Sequence, residues 1–101
     1  QAMVDTLQQL PSHPRILLAT PIPAFKPTWN INDSVLVHAI TPIIAKVARK
    51  KHCDFIDLHQ LAGLTPNDVQ PDGIHPTATG AARIAETIYS FILQKRHIHR
   101  R

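Results

Sequence analysis

The sequence predicts an α/β fold in which helices cover both faces of a parallel sheet, with two strands and three helices carried by these 101 residues. Two observations predict it. Apolar residues recur at helical spacing in three separate stretches, and between those stretches lie two short, nearly continuous apolar runs of the length of buried strands. Helix, strand, helix, strand, helix is a βαβ crossover with a further helix in front and another behind, and such alternation implies a parallel sheet.

The opening QAMVDTLQQL places Met3, Leu7 and Leu10 on one helical face, and Pro11 and Pro14 end the helix. Ile16 to Ala19 form the first strand. The following TPIPAFKP is a loop at the carboxyl end of that strand, because three prolines remove backbone donors and bias the residues before them towards extended conformations. Asn32 or Asp33 caps the second helix, whose Leu36, Ile40, Ile43, Ile44 and Val47 share one side, before RKKH fills its last turn. Pro42 interrupts this pattern. Losing one backbone hydrogen bond there costs about 3 kcal/mol and is expected to kink the helix near His38. CDFIDL reads as the second strand, His59 to Pro76 as a long loop, and Ile84, Ile88, Phe91 and Ile92, at i, i+4, i+7 and i+8, as one face of the final helix.

Two strands do not make a stable parallel sheet, since such sheets are larger and covered on both faces. Residues 1–94 are therefore expected to be the C-terminal portion of a larger single α/β domain, or to depend on a partner for the missing strands. Residues 95–101 are expected to be a basic tail.

A composition of 44% hydrophobic residues with 5% aromatics allows one small domain with a modest core. The formal charge of +4 resembles a nucleic-acid signal until it is located. Lys95, Arg96, Arg100 and Arg101 all fall in the tail, and the rest of the chain is balanced. A neutral body with a short basic end argues against a nucleic-acid surface, so no nucleic-acid partner is expected. A tail that did bind nucleic acid would show salt-sensitive binding that disappears on deleting residues 95–101. Cys53, the one cysteine, excludes an internal disulfide and a cysteine-rich zinc site, and its apolar neighbours suggest a buried small side chain. No apolar stretch has the length of a membrane span.

The chemistry concentrates in PDGIHPTATG, residues 71–80. Asp72 and His75 are separated by Gly73 and Ile74, so one turn can fold the carboxylate back to the imidazole Nδ1. That bond would fix the tautomer, raise the basicity of the ring and leave Nε2 to take a proton. Gly73 allows the tight path and Pro76 keeps His75 extended. The plainer reading is that Asp72 makes an Asx turn and His75 only precedes a helix.

PDGIHPTATGAARIAETIYSFI resembles the C-terminal block of the SGNH (GDSL-type) ester hydrolases, whose signature is Asp-x-x-His-Pro followed by a helix. PRILLATPIPAF resembles that family's penultimate strand and its loop, and NDSVLVHAITPIIAKVARKKHCDFIDL its helix and last strand. The resemblance covers nearly the whole chain. It implies a three-layer α/β/α (flavodoxin-like) parallel-sheet domain and a serine esterase that needs no cofactor or metal. It also implies that His75 is the general base activating a serine and Asp72 the residue that orients it. The family's oxyanion hole combines the serine amide, a glycine amide and an asparagine side chain. The expected partner is a small-molecule ester, a carbohydrate acetyl ester or a lipid acyl ester, together with the N-terminal half of the domain.

The chain departs from the pattern where the nucleophile is concerned. The Gly-Asp-Ser block and the Gly and Gly-x-Asn-Asp blocks belong upstream of the strand matched by Arg15 to Ala19, and none is present. Ser12, Ser34 and Ser90 read as a turn, a first helical turn and a helix surface. NINDS lacks the glycine, follows the wrong strand and reads as a helix cap. These residues thus carry half of an active site, and alone they should not hydrolyse esters. Ile22, Phe25 and Ile74 are candidates to wall the acyl pocket. Asp57 and His59, at the end of the second strand, either line the cleft or form a polar strand terminus. His97 and His99 have no third ligand nearby in sequence, so no metal site is expected. The alternative to an esterase is a non-catalytic α/β fragment acting as a structural or interaction module.

Overall fold

A computed structural model describes residues 1–27 and 31–99, with side chains as far as Lys95. The architecture is α/β. Strands β1 (Leu17–Ala19) and β2 (Asp54–Ile56) pair in parallel, with Leu17 opposite Asp54, Leu18 opposite Phe55 and Ala19 opposite Ile56. The ladder extends one bond beyond each end, from Asp54 N–H to Ile16 O and from Thr20 N–H to Ile56 O, each 3.0 Å. Because alternate residues of a parallel strand bond to opposite sides, Leu17 and Ala19 turn their backbone groups to the other edge of β1, where no strand pairs among the described residues.

Helix α1 (Ala2–Gln8) is held at the end of the crossover by two contacts: Lys51 Nζ lies 2.7 Å from Asp5 Oδ1, and Gln8 Nε2 donates to Lys51 O at 2.6 Å. Its buried residue is Val4, whereas Met3 and Leu7 are 77% and 38% exposed. The apolar spacing therefore identifies the helix correctly, but its stripe is not the face that packs here.

The crossover begins as expected. Asn32 caps α2 (Asp33–Val35), its Oδ1 accepting the Val35 N–H at 2.9 Å. The helix then widens into a π-helical segment, Leu36–Ile40, before continuing as α3 (Thr41–Lys51). Pro42 explains this. Its ring would collide with the His38 carbonyl in an unbroken α-helix and it has no N–H to give, so the chain takes a wider turn in which Thr41 N–H bonds to Leu36 O. The sequence places the perturbation at His38; its form is a π turn. The extra residue also rotates the remainder of the helix, so that Ala48 is buried and Ile43 is 62% exposed. His52 closes α3 in the left-handed region at φ 57°, and Cys53 N–H reaches back to Ala48 O at 2.9 Å. Cys53 itself is half-buried.

The segment after β2 is more ordered than a plain loop. Asp57 caps α4 (Leu58–Leu61), and a 3₁₀ turn spans Pro66–Asp68. The final helix, α5, runs Ala78–His99. Residues 95–99 thus continue the helix, while the side chains of Arg96, His97 and His99, and residues Arg100 and Arg101, lie outside the described ones. The core sits between sheet and helices, with Ile56 the most enclosed large side chain at 1% exposure, joined by Val4, Leu36, Ala48, Leu58, Ala62 and Val69. Among the described residues no helix is long and apolar enough to cross a membrane.

Candidate active site

Residues 69–76 fold back on themselves. Val69 and Pro76 form an antiparallel bridge, Gln70 N–H donates to His75 O at 2.8 Å, and Gly73 N–H donates to Gln70 O at 2.8 Å. This closes a four-residue turn over Gln70, Pro71, Asp72 and Gly73, with proline and glycine where such turns favour them. Gly73 has φ 78°, and a Cβ there would stand 2.4 Å from Lys26 Cγ, so both the backbone angle and the space call for glycine.

The turn presents Asp72 to His75, and the two carboxylate oxygens divide their work. Oδ1 accepts the backbone N–H groups of Ile74 and His75 at 2.9 and 3.0 Å. Oδ2 meets His75 Nδ1 at 2.5 Å. The Asx turn and the acid–imidazole contact are therefore two uses of one side chain. The bond to His75, and after it the two backbone donors, hold the Asp72 carboxyl down at about 2, well below the ordinary value of 3.8. The His75 side chain is 55% exposed and that of Asp72 25%.

Among the described residues, attachments on two sides hold this turn in place. Phe25 N–H donates to Gly73 O at 2.8 Å, tying it to the loop that leaves the carboxyl end of β1. On the other side, Thr77 N–H and Oγ1 donate to Asp68 O at 2.9 and 3.1 Å, while Thr65 N–H and Oγ1 donate to Asp68 Oδ2 at 2.9 and 3.1 Å. Asp68 is 5% exposed, and Arg83 Nε approaches its Oδ1 at 3.4 Å. It fastens the start of α5, and so the exit of the turn, to the 3₁₀ segment.

Of the candidate pocket residues, Phe25 shares an open groove of about 390 Å³ with Lys26, Val69 and Gly73. Ile22 and Ile74 are half-buried. The hollow at the amino ends of the strands, lined by Arg15, Leu17, Asp54 and Phe91, is a separate feature. Ser12, Ser34 and Ser90 are all exposed.

A second acid–histidine pair was not legible in the sequence. His59 Nε2 lies 2.8 Å from Asp33 Oδ1, and the same oxygen accepts Ala24 N–H at 2.9 Å. Burial disfavours the charge on Asp33, but the Ala24 amide and then His59 outweigh it, leaving the carboxyl below its ordinary value. Twenty-six positions separate the two residues, so no local spacing relates them. Asp57, the other polar group of this rim, caps Gln60 N–H at 3.3 Å and accepts the Thr20 hydroxyl at 3.2 Å. Among the described residues no three histidine, cysteine or acidic side chains converge as a metal site would require.

Comparison with known proteins gives the same direction as the Asp-x-x-His-Pro block. The model of a family described as GDSL-like lipase/acylhydrolase matches residues 1–83. The chain is also 50% identical over 82 residues to an acetylxylan esterase of Xylanibacter ruminicola, a match that takes in 81% of this chain and spans 17% of that protein's length. No solved structure matches the chain.

Proposed function

The chain belongs to the GDSL-like lipase/acylhydrolase family, and from that premise we propose that it is the C-terminal part of a serine ester hydrolase whose general base is His75, oriented by Asp72. The reading is carried by the division of the Asp72 carboxylate, which builds the turn with one oxygen and fixes the His75 tautomer with the other.

In the proposed reaction, a serine from the N-terminal part of the domain attacks the ester carbonyl. His75 Nε2 takes the hydroxyl proton as the new C–O bond forms, and donors from that same part hold the oxyanion. Collapse of the tetrahedral intermediate breaks the bond to the alcohol, which leaves with the proton from His75. Water, deprotonated by the same nitrogen, then releases the acid and restores the serine. Asp72 stays ionised throughout and stabilises the imidazolium. The similarity to an acetylxylan esterase favours an acetyl ester of a carbohydrate over a lipid ester.

Residues 1–101 by themselves are expected to be inactive, because a base without nucleophile and oxyanion donors lacks the groups that supply most of the acceleration. The test is turnover of a short-chain nitrophenyl ester and of acetylated xylan by the full-length protein, against its His75→Ala variant. Release of acetate that depends on His75 supports the reading; hydrolysis indifferent to His75 refutes it.

A further inference from the structure

We propose that Asp33 and His59 are positioning residues for the His75 base, acting through the backbone of the loop after β1; this rests on the reading of Asp72 and His75 as the catalytic pair. The path is continuous. Thr20, 2% exposed at the end of β1, accepts the His59 N–H at 3.1 Å and donates to Asp57 at 3.2 Å, which anchors His59 to the sheet. The His59 ring then meets Asp33 Oδ1 at 2.8 Å, and that oxygen receives Ala24 N–H at 2.9 Å. The next residue, Phe25, gives its N–H to Gly73 O at 2.8 Å, and Gly73 adjoins Asp72. The His59 side chain is only 19% exposed, so its geometry is set by packing and not by solvent.

Two features separate this from an ordinary helix-start acid. Asp33 is the first residue of α2, but the cap is made by Asn32, so helix α2 does not require the Asp33 carboxylate for its end. Pro21 and Pro23 can offer no backbone donor, and Ala24 and Phe25 each commit their N–H to this path. Releasing Ala24 frees Phe25 to draw away from Gly73, and the turn that aims the imidazole loses its attachment to the loop after β1.

A displaced base slows chemistry without changing how the substrate docks, so kcat and kcat/KM should fall together while KM holds. In the full-length protein, Asp33→Ala and His59→Leu are expected to lower kcat by about 10- to 100-fold, the scale of a base misplaced by an ångström or less. Asp33→Asn and His59→Gln keep an oxygen acceptor and an N–H donor in place and should stay within about threefold of the parent, a difference well under 1.4 kcal/mol. The downfield proton resonance of His75 Nδ1–H, assigned by its loss in His75→Ala, should broaden or shift upfield in the two disruptive variants and persist in the two conservative ones. If Asp33→Ala fails to fold, His59→Leu carries the test, because it leaves Asp33 in place but removes the ring that holds its carboxylate against Ala24. Folded disruptive variants with parental kcat and an unchanged resonance overturn the proposal, as does a loss confined to KM. A His75→Ala protein that keeps its turnover overturns instead the catalytic reading beneath it.

Discussion

Gly80 and the Asp68 carbonyl are packed so closely that a Cβ at position 80 would lie 2.1 Å from Asp68 O. The obstacle is backbone, fixed by the Thr77 bonds to the same oxygen, so it cannot swing aside as a side-chain tip would. Gly80→Ala is therefore expected to cost about 1–3 kcal/mol, the range for forcing atoms into filled space. The urea midpoint of the full-length protein measures it, and an unchanged midpoint would mean that α5 can shift away from the 3₁₀ turn freely.

Gly73 should be as intolerant for a different reason. Gly73→Ala places a side chain at φ 78° and against Lys26, both its Cγ at 2.4 Å and its backbone nitrogen at 3.0 Å. The left-handed conformation alone costs about 1–2 kcal/mol. Because the residue lies between Asp72 and His75, esterase turnover is expected to fall along with stability, whereas Gly80→Ala should affect stability more than rate.

The acid behaviour of the turn is set by Asp72. Its folded value of about 2 lies below the ordinary 3.8, so the ionised form is the one that folding favours. The sign is that of a depressed carboxyl: the stabilisation is complete above pH 4 or so and is lost as pH falls towards 2. The difference in unfolding midpoint between the parent and Asp72→Asn should accordingly shrink as pH falls from 4 towards 2. A gap that widens on acidification would reverse the assigned direction.

Asp72→Asn separates the two duties of the carboxylate. Asparagine Oδ1 can still accept the Ile74 and His75 amides, so the turn should survive. Its NH₂ cannot accept from Nδ1–H, which favours the wrong tautomer, and kcat is expected to fall by about 10³- to 10⁴-fold. Single-turnover kinetics with a nitrophenyl ester provide the comparison; a variant within tenfold of the parent would show that the backbone turn alone positions the ring.

How much of this could be read from the sequence depended on distance along the chain. The Asp72–His75 geometry is confined to one turn bounded by Pro71, Gly73 and Pro76, so residue type and spacing nearly determine it. A cap at Asn32 or Asp33 was legible for the same reason, and the structure places it at Asn32. Pro42 located a disturbance at His38 but not its form, because a kink and a π turn both relieve the same steric conflict. Helical spacing found α1 yet named Met3 and Leu7 as its packed face where Val4 is buried, since periodicity reports which residues share a side and not which partner is present to cover it. The pairing of Asp33 with His59 depends on β1 and β2 being neighbours, and nothing local in either residue's surroundings reveals it.

The central claim is that His75 is the base of a serine esterase, and the most direct measurement is the rate of nitrophenyl acetate hydrolysis by the full-length protein and its His75→Ala variant, with circular dichroism showing that both are folded. The substitution is expected to reduce kcat/KM by about 10⁴-fold or more, down to the activity left by binding and oxyanion stabilisation. A folded His75→Ala protein hydrolysing the ester at the parental rate would contradict it.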